Sequence, residues 1–487
     1  MKRSLGVAAM MVIILGTGTA RAQTPGASQA RPAQSQASAS SVPAVDFPNV
    51  QNPLLGGIPT GKPTGGVIPL SLSEALKRAL TYNLGALLST EQVRAAQGLR
   101  LLALSRLLPN ITTGVGEMQE QVNLEAFGFQ GFPGSRTIVG PFNVFDARAY
   151  LTQTVLDFSA LDRYRSQNEN VKAAQFSNEN TRDLVVYVCA NLYLQAVASN
   201  SRIEATRAQV STAQALYNLA VDQKAAGVVP AIEVLRAQVE LHSLQQRLIV
   251  AEDQFAKDKL ALAQAIGLPL GQDFALTDGM TYSPIPGMSL EQAVKKAYEE
   301  RPDFQSALAR VRAAELEQSS AKAQRLPTIN FSADYGVIGP RPWENHGTFS
   351  VTSSVRFPIF QGGSVRGQIY QAEAALRQRS AELENLRGRI YYDVRIAFLD
   401  LEAAAERVQV AQSAVKLAEQ QVVQSQDRFG AGVTNNVEVV QAQEAMATAS
   451  ENYIAGLQAH SAAKLALARA IGVSDTAYEQ FLRGQYP

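Results

Sequence analysis

Three histidines, one cysteine and a scatter of acids are the residues of this chain best suited to chemistry, and their spacing supports none. His242, His346 and His460 lie far apart, so no two share the short spacing of a metal-binding helix motif. Cys189 is the single cysteine, which excludes an intramolecular disulfide, a four-cysteine zinc site and an iron–sulfur cluster. It ends the apolar run Val185-Val186-Tyr187-Val188-Cys189 and reads as a packed, inert thiol. No Ser-His-Asp arrangement and no glycine-rich phosphate loop is legible. Asp and Glu fall at ordinary solvated helix positions. The chain is therefore read as a non-enzyme with no cofactor and no metal.

Composition points to a scaffold. Of 487 residues 46% are hydrophobic and 18% charged, and the net charge is +1. That balance argues against a nucleic-acid binder, which carries a basic face. The charged fraction is below the ~25% typical of soluble domains. Sparse aromatics beside plentiful Ala, Gln, Val and Leu favour long, closely packed helices.

Met1-Lys2-Arg3, the apolar stretch Leu5 to Leu15 and Ala20-Arg21-Ala22 have the form of an export signal, residues 1–22, cleaved before Gln23. Its apolar part is too short to span a bilayer, and no later stretch reaches ~18 uncharged apolar residues. No cysteine follows the cleavage site to carry a lipid. Residues 23–66 are rich in Gln, Ala, Ser, Pro and Gly and are expected to be a flexible segment.

The rest is one unit written twice. Leu72-Ser73-Glu74-Ala75-Leu76-Lys77-Arg78-Ala79 recurs as Leu290-Glu291-Gln292-Ala293-Val294-Lys295-Lys296-Ala297, and Leu108-Pro109 as Leu326-Pro327. Ala226-Gly227-Val228 recurs as Ala431-Gly432-Val433, Lys259 to Ala263 as Lys464 to Ala468, and Ile266-Gly267 as Ile471-Gly472. The copies are far longer than a solenoid repeat of ~20–50 residues. They divide the chain into a first repeat at 67–287, a second at 288–475 and a tail at 476–487.

Each copy predicts the same elements. A short helix (71–82; 289–300) starts at a capping serine, Ser71 or Ser289. A second helix (84–108; 303–326) stops at the Leu-Pro pair, because proline ends helices. Two strands follow. A very long third helix (162–225; 366–430) ends at Gly227 or Gly432, and a fourth (232–266; 437–471) at Gly267 or Gly472. The long helix should measure roughly 95 Å at ~1.5 Å per residue, and the second and fourth stacked end to end match it. Val408, Ala411, Val415, Ala418 and Val422 form a heptad seam, with Ile203, Val210, Ala213, Tyr217 and Ala220 as the first-copy equivalent. A soluble coiled coil has the same local pattern.

The strands separate a rod from a channel. Ile329, Phe331, Ala333, Tyr335 and Val337 alternate with Thr328, Asn330, Ser332, Asp334 and Gly336. Phe349, Val351, Val355, Phe357 and Ile359 alternate with Ser350, Thr352, Ser354 and Arg356. The first copy is weaker, with Ile111 and Val115, then Ala147, Ala149, Leu151 and Val155. Each run has about ten residues, enough for a tilted strand to cross a bilayer. Open edges are not tolerated in lipid. Four strands are too few for a barrel, whose smallest forms have about eight, so the chain must oligomerise. A dimer's eight strands nearly fill with side chains, whereas a trimer's twelve leave a lumen.

The duplication, the Ser-Leu-x-x-Ala helix starts, the Leu-Pro pairs before the strands, and the turns Phe429 to Val433 and Ala225 to Val228 together resemble the TolC family of outer-membrane efflux proteins. The resemblance covers residues about 67–475. It implies a mainly α protein with a membrane β-barrel: duplicated long-helix hairpins forming a trimeric α-barrel tunnel, and four strands per protomer in a twelve-stranded barrel. It further implies a Gram-negative outer-membrane location, a homotrimer in outer-membrane lipid, a periplasmic adaptor (membrane fusion) protein and an inner-membrane transporter. A periplasmic coiled-coil scaffold is the rival reading; it shares the helices but not the two-faced strands.

By the same resemblance the two helix turns form the periplasmic tip and touch the adaptor. They are Ala226, Gly227, Val228 and Val229, and Ala431, Gly432, Val433 and Thr434. The family places acids that ring the closed tunnel end just past each turn, here Glu233 and Glu438. One turn on stand Arg236 and Gln441, which leaves no second acidic ring. A carboxylate ring attracts cations, and mutual repulsion raises its pKa. Phe127, Phe129, Phe132, Phe142, Phe145 and Trp343 lie in loops expected outside the cell, as a lid or as interfacial anchors.

Overall fold

The computed structural model describes residues 52–127, 137–284 and 287–483, omitting the side chain of Arg483. The export signal, residues 23–51, Phe129, Phe132 and residues 484–487 lie outside these.

The serine helix starts form as capping boxes. In α1 (Leu72–Tyr82) the Ser71 hydroxyl accepts from Glu74 N at 3.3 Å, and Glu74 accepts from Ser71 N at 3.2 Å. Ser289 and Gln292 repeat the box in α5 (Leu290–Glu300). The next helices, α2 (Leu84–Ser105) and α6 (Pro302–Ala323), end three residues before the expected 108 and 326. Leu107 N and Leu326 N instead close tight turns onto Leu104 O and Ala323 O, each at 2.9 Å. The prolines explain this, since each forces the leucine before it out of helical geometry.

Two helices dominate. α3 (Phe158–Ala225) has 68 residues and α7 (Ser364–Gly430) has 67, each about 100 Å long at ~1.5 Å per residue. α3 starts before the expected 162 because Asp157 caps it, accepting from Ala160 N at 3.0 Å. α4 (Ala231–Ala265) and α8 (Asn436–Ile471) return beside them.

Two short strands, β1 (Ile68–Leu70) and β4 (Phe274–Leu276), pair in parallel and join the start of the first repeat to its end. The main sheet is antiparallel: β2 (Asn110–Asn123), β3 (Ile138–Leu156), β5 (Thr328–Arg341) and β6 (Glu344–Arg356), in the order β2-β3-β5-β6.

The same lateral order holds at every level. Helices pack as α2-α3-α6-α7 near the sheet and as α4-α3-α8-α7 further away. The first repeat thus supplies one side edge throughout, through β2, α2 and α4, and the second supplies the other, through β6 and α7.

Each repeat has its own core near the middle of its long helix. The first packs Ala75, Leu76, Val185, Val186, Cys189, Tyr193, Leu262 and Ile266; the second packs Ala293, Ala297, Ile390, Val394, Leu401, Leu467 and Ile471. Most of these side chains are small or β-branched, which allows helices to approach closely.

Two stretches expected to lie outside the packed units belong to them. Within the segment read as flexible, Pro53–Leu55 forms a 3-10 turn capped by Asn52. Leu84 N donates to Gly56 O and Ile58 N to Tyr82 O, each at 2.9 Å. Composition misleads here because Leu54 reaches the first core and backbone groups do the rest. The described part of the tail after 475 is helical. α9 (Ser474–Arg483) buries Ala477 and Phe481 in the second core, and Lys464 Nζ donates to Leu482 O at 3.4 Å and to Ser283 O at 2.8 Å.

Candidate functional site

Period-two alternation makes the main sheet two-faced. One face carries Ile111 and Val115, Ala147, Ala149 and Leu151, Ala333, Tyr335 and Val337, and Phe349, Val351 and Val355, in mutual register. Its side chains are bare to an extent that water disfavours: cross-strand partners Tyr335 and Phe349 are each 74% exposed. The other face carries Asn110, Thr112 and Gly114, Asp146, Arg148, Tyr150, Thr152 and Thr154, Asn330, Ser332 and Asp334, and Thr348, Ser350, Thr352 and Ser354. This arrangement fits lipid on one side and water on the other. Among the described residues no helix is long and apolar enough to cross a membrane.

At the opposite end the two helix turns are superposable in chemistry. Gly227 and Gly432 both have φ +73°, the left-handed geometry that glycine adopts without strain. Gly227 N donates to Lys224 O and Val228 N to Gln223 O; Gly432 N donates to Phe429 O and Val433 N to Arg428 O. Val228 and Val433 point outward, 63% and 70% exposed. Ala226 and Ala431 are exposed, and Val229 and Thr434 half-buried.

Just beyond the turns, each acid has partners within the chain. Glu233 is buried; it accepts from Arg236 Nη1 at 2.7 Å and from the backbone N of Asn436 at 3.3 Å. Glu438 pairs with Arg428 at 3.0 Å and accepts from the Thr434 hydroxyl. Gln441 is exposed. Leu216, Phe429 and Val439 close a small core behind this network.

Residues 79–268 and 293–473 match the family described as outer membrane efflux protein. The chain belongs to that family. The two matched spans fall within the residues read as the first and second repeats. Among its relatives, the pyoverdine export outer membrane protein OpmQ of Pseudomonas aeruginosa is 24% identical over 419 residues, covering 82% of this chain and 85% of OpmQ. The Campylobacter jejuni CmeC outer membrane channel superposes with a TM-score of 0.73 at 16% identity, over 91% of this chain and 98% of CmeC. VceC of Vibrio cholerae gives 0.69 at 18% identity, over 82% and 96%.

As an outer membrane efflux protein, the chain is a TolC-type outer-membrane channel of Gram-negative bacteria, an exit duct with a long periplasmic part. The exposed apolar face of its sheet suits the lipid side of such a channel. Within this frame the sheet faces were legible from alternation, and the turn glycines from their recurrence. Arg428 and Asn436 were missed. Arg428 had one signal, a basic residue in the last turn of a helix. Asn436 had none, since its contact comes from the other repeat.

Proposed function

We propose that three copies of this chain close side by side into a passive duct, opened at its periplasmic tip when an adaptor and an inner-membrane pump dock there. The observation that carries this reading is the lateral order of the fold, which leaves the same two edges free at every level. The sheet edges β2 and β6 have unpaired backbone groups that lipid does not tolerate. The matching helical edges carry apolar stripes: Leu235, Val239, Ile249 and Leu260 on α4, and Ile396, Leu399, Val410 and Leu417 on α7, each more than half exposed. A neighbour's α7 against α4 and its β6 against β2 would cover both. Three copies give twelve strands, enough for a lumen, whereas eight strands nearly fill.

The turns around Val228 and Val433 are the adaptor-docking surface in this reading, with Ala226, Gly227, Val229, Ala431, Gly432 and Thr434 framing them. Exposed valines on glycine turns offer apolar contact with little steric obstruction. The networks of Glu233 with Arg236 and of Glu438 with Arg428, near Gln441, are the periplasmic gate. Arginine pairing offsets both acids, and the bonds from Glu233 to Asn436 and from Glu438 to Arg428 tie helix to helix, so the pattern is a pair of latches more than a bare acidic ring. A scaffold without a channel would leave the Tyr335–Phe349 face in water, which disfavours it.

The test is planar-bilayer recording on the full chain extracted from outer membranes, with its mass measured in detergent. Discrete conductance from a three-chain particle is expected. A non-conducting monomer that washes off membranes without detergent would refute the proposal.

A further inference from the structure

On the polar face of the sheet, halfway along the strands, three charged side chains meet. Arg148 Nε donates to Asp146 Oδ1 at 2.7 Å, its Nη2 pairs with Asp146 Oδ2, and its Nη1 donates to Asp334 Oδ1 at 3.1 Å. The guanidinium carbon lies 5.5 Å from the centre of the Tyr150 ring. The apolar residues Ala147, Ala149, Ala333 and Tyr335 occupy the other face at the same level, so the cluster sits at bilayer depth.

Glycine at 336 makes room for it, while Gly114 leaves only ordinary contact space beside the Tyr150 ring. Arg148 stands opposite Gly114 on β2 and Gly336 on β5. A Cβ at Gly336 would lie 2.6 Å from Arg148 Cα and 2.7 Å from its Cγ; one at Gly114 would lie 3.6 Å from the Tyr150 ring. The arginine therefore lies down across the sheet and reaches the carboxylate on the next strand. It does not stand out from the wall. One cation is shared between two acids, which leaves a formal charge of −1 fixed on this face. Among the described residues the other charged groups of the polar face lie toward its ends: Glu120 opposite Phe142, Glu344 opposite Arg341, and Arg356 opposite Thr328.

We propose that Asp146, Arg148 and Asp334 form a charge filter in the lumen of the barrel, which makes this duct favour cationic over anionic solutes at the level of the membrane. The inference rests on the channel reading above. Beside a low-dielectric wall, a fixed charge focuses its field into the water-filled space. Three copies would place three such charges around one lumen. The filter is separate from the periplasmic tip, at the other end of the long helices.

The test reads the local potential directly. Ser350 stands opposite Asp334 on β6 and is exposed, while the native Cys189 is buried. In the full chain carrying Ser350→Cys, the rates of modification by a cationic and an anionic methanethiosulfonate reagent are compared, each normalised to a free thiol. The cationic reagent should be favoured by about three-fold or more, as expected of a net negative site. Asp334→Asn and Asp146→Asn, which keep the shape of the side chains, should lower that preference, and Arg148→Gln should raise it. If Ser350→Cys reacts but the preference ignores both aspartate variants, the cluster is only a staple between strands and the filter is refuted. If Ser350→Cys is inert and Phe349→Cys reacts with both reagents, the faces are reversed and the channel reading itself fails.

Discussion

Glu233 and Asn436 are joined across the two repeats: the Glu233 carboxylate accepts from the Asn436 backbone nitrogen at 3.3 Å, over 203 residues of sequence. Asn436 is the first residue of α8, so the acid satisfies an open N–H at a helix start, where negative charge is stabilised. Arg236 holds the other carboxylate oxygen at 2.7 Å. The bond ties the α3–α4 hairpin to the α7–α8 hairpin at the periplasmic tip. Glu233→Ala removes a charge-assisted hydrogen bond worth about 1.5–3 kcal/mol. Single-channel records should then show more frequent opening, with open probability raised by roughly ten-fold, unitary conductance unchanged and the fold retained. Unchanged gating would make Glu233 a helix cap only.

Arg428 and Glu438 form a second, weaker tie. Their side chains are 56% and 37% exposed, so solvent screening limits the pair to about 0.2–1 kcal/mol. Arg428→Glu should raise open probability about two- to five-fold, and adding Glu438→Arg should restore it. A double variant no better than the single would show that the two residues do not act through each other.

The four repeated glycines have different tasks, and substitution should separate them. At the tip, a Cβ on Gly227 or Gly432 meets nothing within 4 Å; at the other hairpin ends, one on Gly267 would lie 2.6 Å from Ile58 O and one on Gly472 2.7 Å from Arg301 Cα. All four have positive φ. Gly432→Ala should cost only the left-handed penalty, about 1 kcal/mol, and lower the melting temperature slightly. Gly472→Ala adds a backbone collision and should lower it by several degrees more. Equal melting temperatures for the two variants would contradict this.

Much of the architecture was readable because it is local and written twice. Capping serines, Leu-Pro stops and turn glycines each act within a few residues, and alternation along Thr328 to Val337 sets a strand's faces without knowledge of its neighbours. The packing of residues 52–58 and of α9 escaped because composition says nothing about a short segment whose backbone finds partners in a distant helix. The partners of Glu233 and Arg148 across the repeats escaped for a related reason. Asn436 and Asp334 come from the opposite repeat, and only the folded array brings them near.

Burial sets an acid limit on stability. His460 is 1% exposed, its ring 4.9 Å from that of Tyr282 and one helical turn from Lys464. Burial, with the Lys464 charge adding to it, pushes the imidazole down to about 4. Between that value and the ~6.5 of an unfolded histidine, the unfolded chain binds a proton that the folded chain refuses. Stability is therefore lost as pH falls from 6.5 toward 4, by about 3 kcal/mol from this group. His460→Gln should flatten the decline of melting temperature across that window. A variant that declines as steeply as the parent would remove His460 from the account.

The central claim is that β6 of one copy meets β2 of the next, so that three sheets close into one wall. Cysteines placed in pairs along those edges, Thr112→Cys with Thr352→Cys and their neighbours in register, test it by oxidation in intact outer membranes. Dimers and a covalent trimer, with no larger species, are the expected products. Crosslinks confined to single chains, or a ladder running past three, would contradict the closed wall.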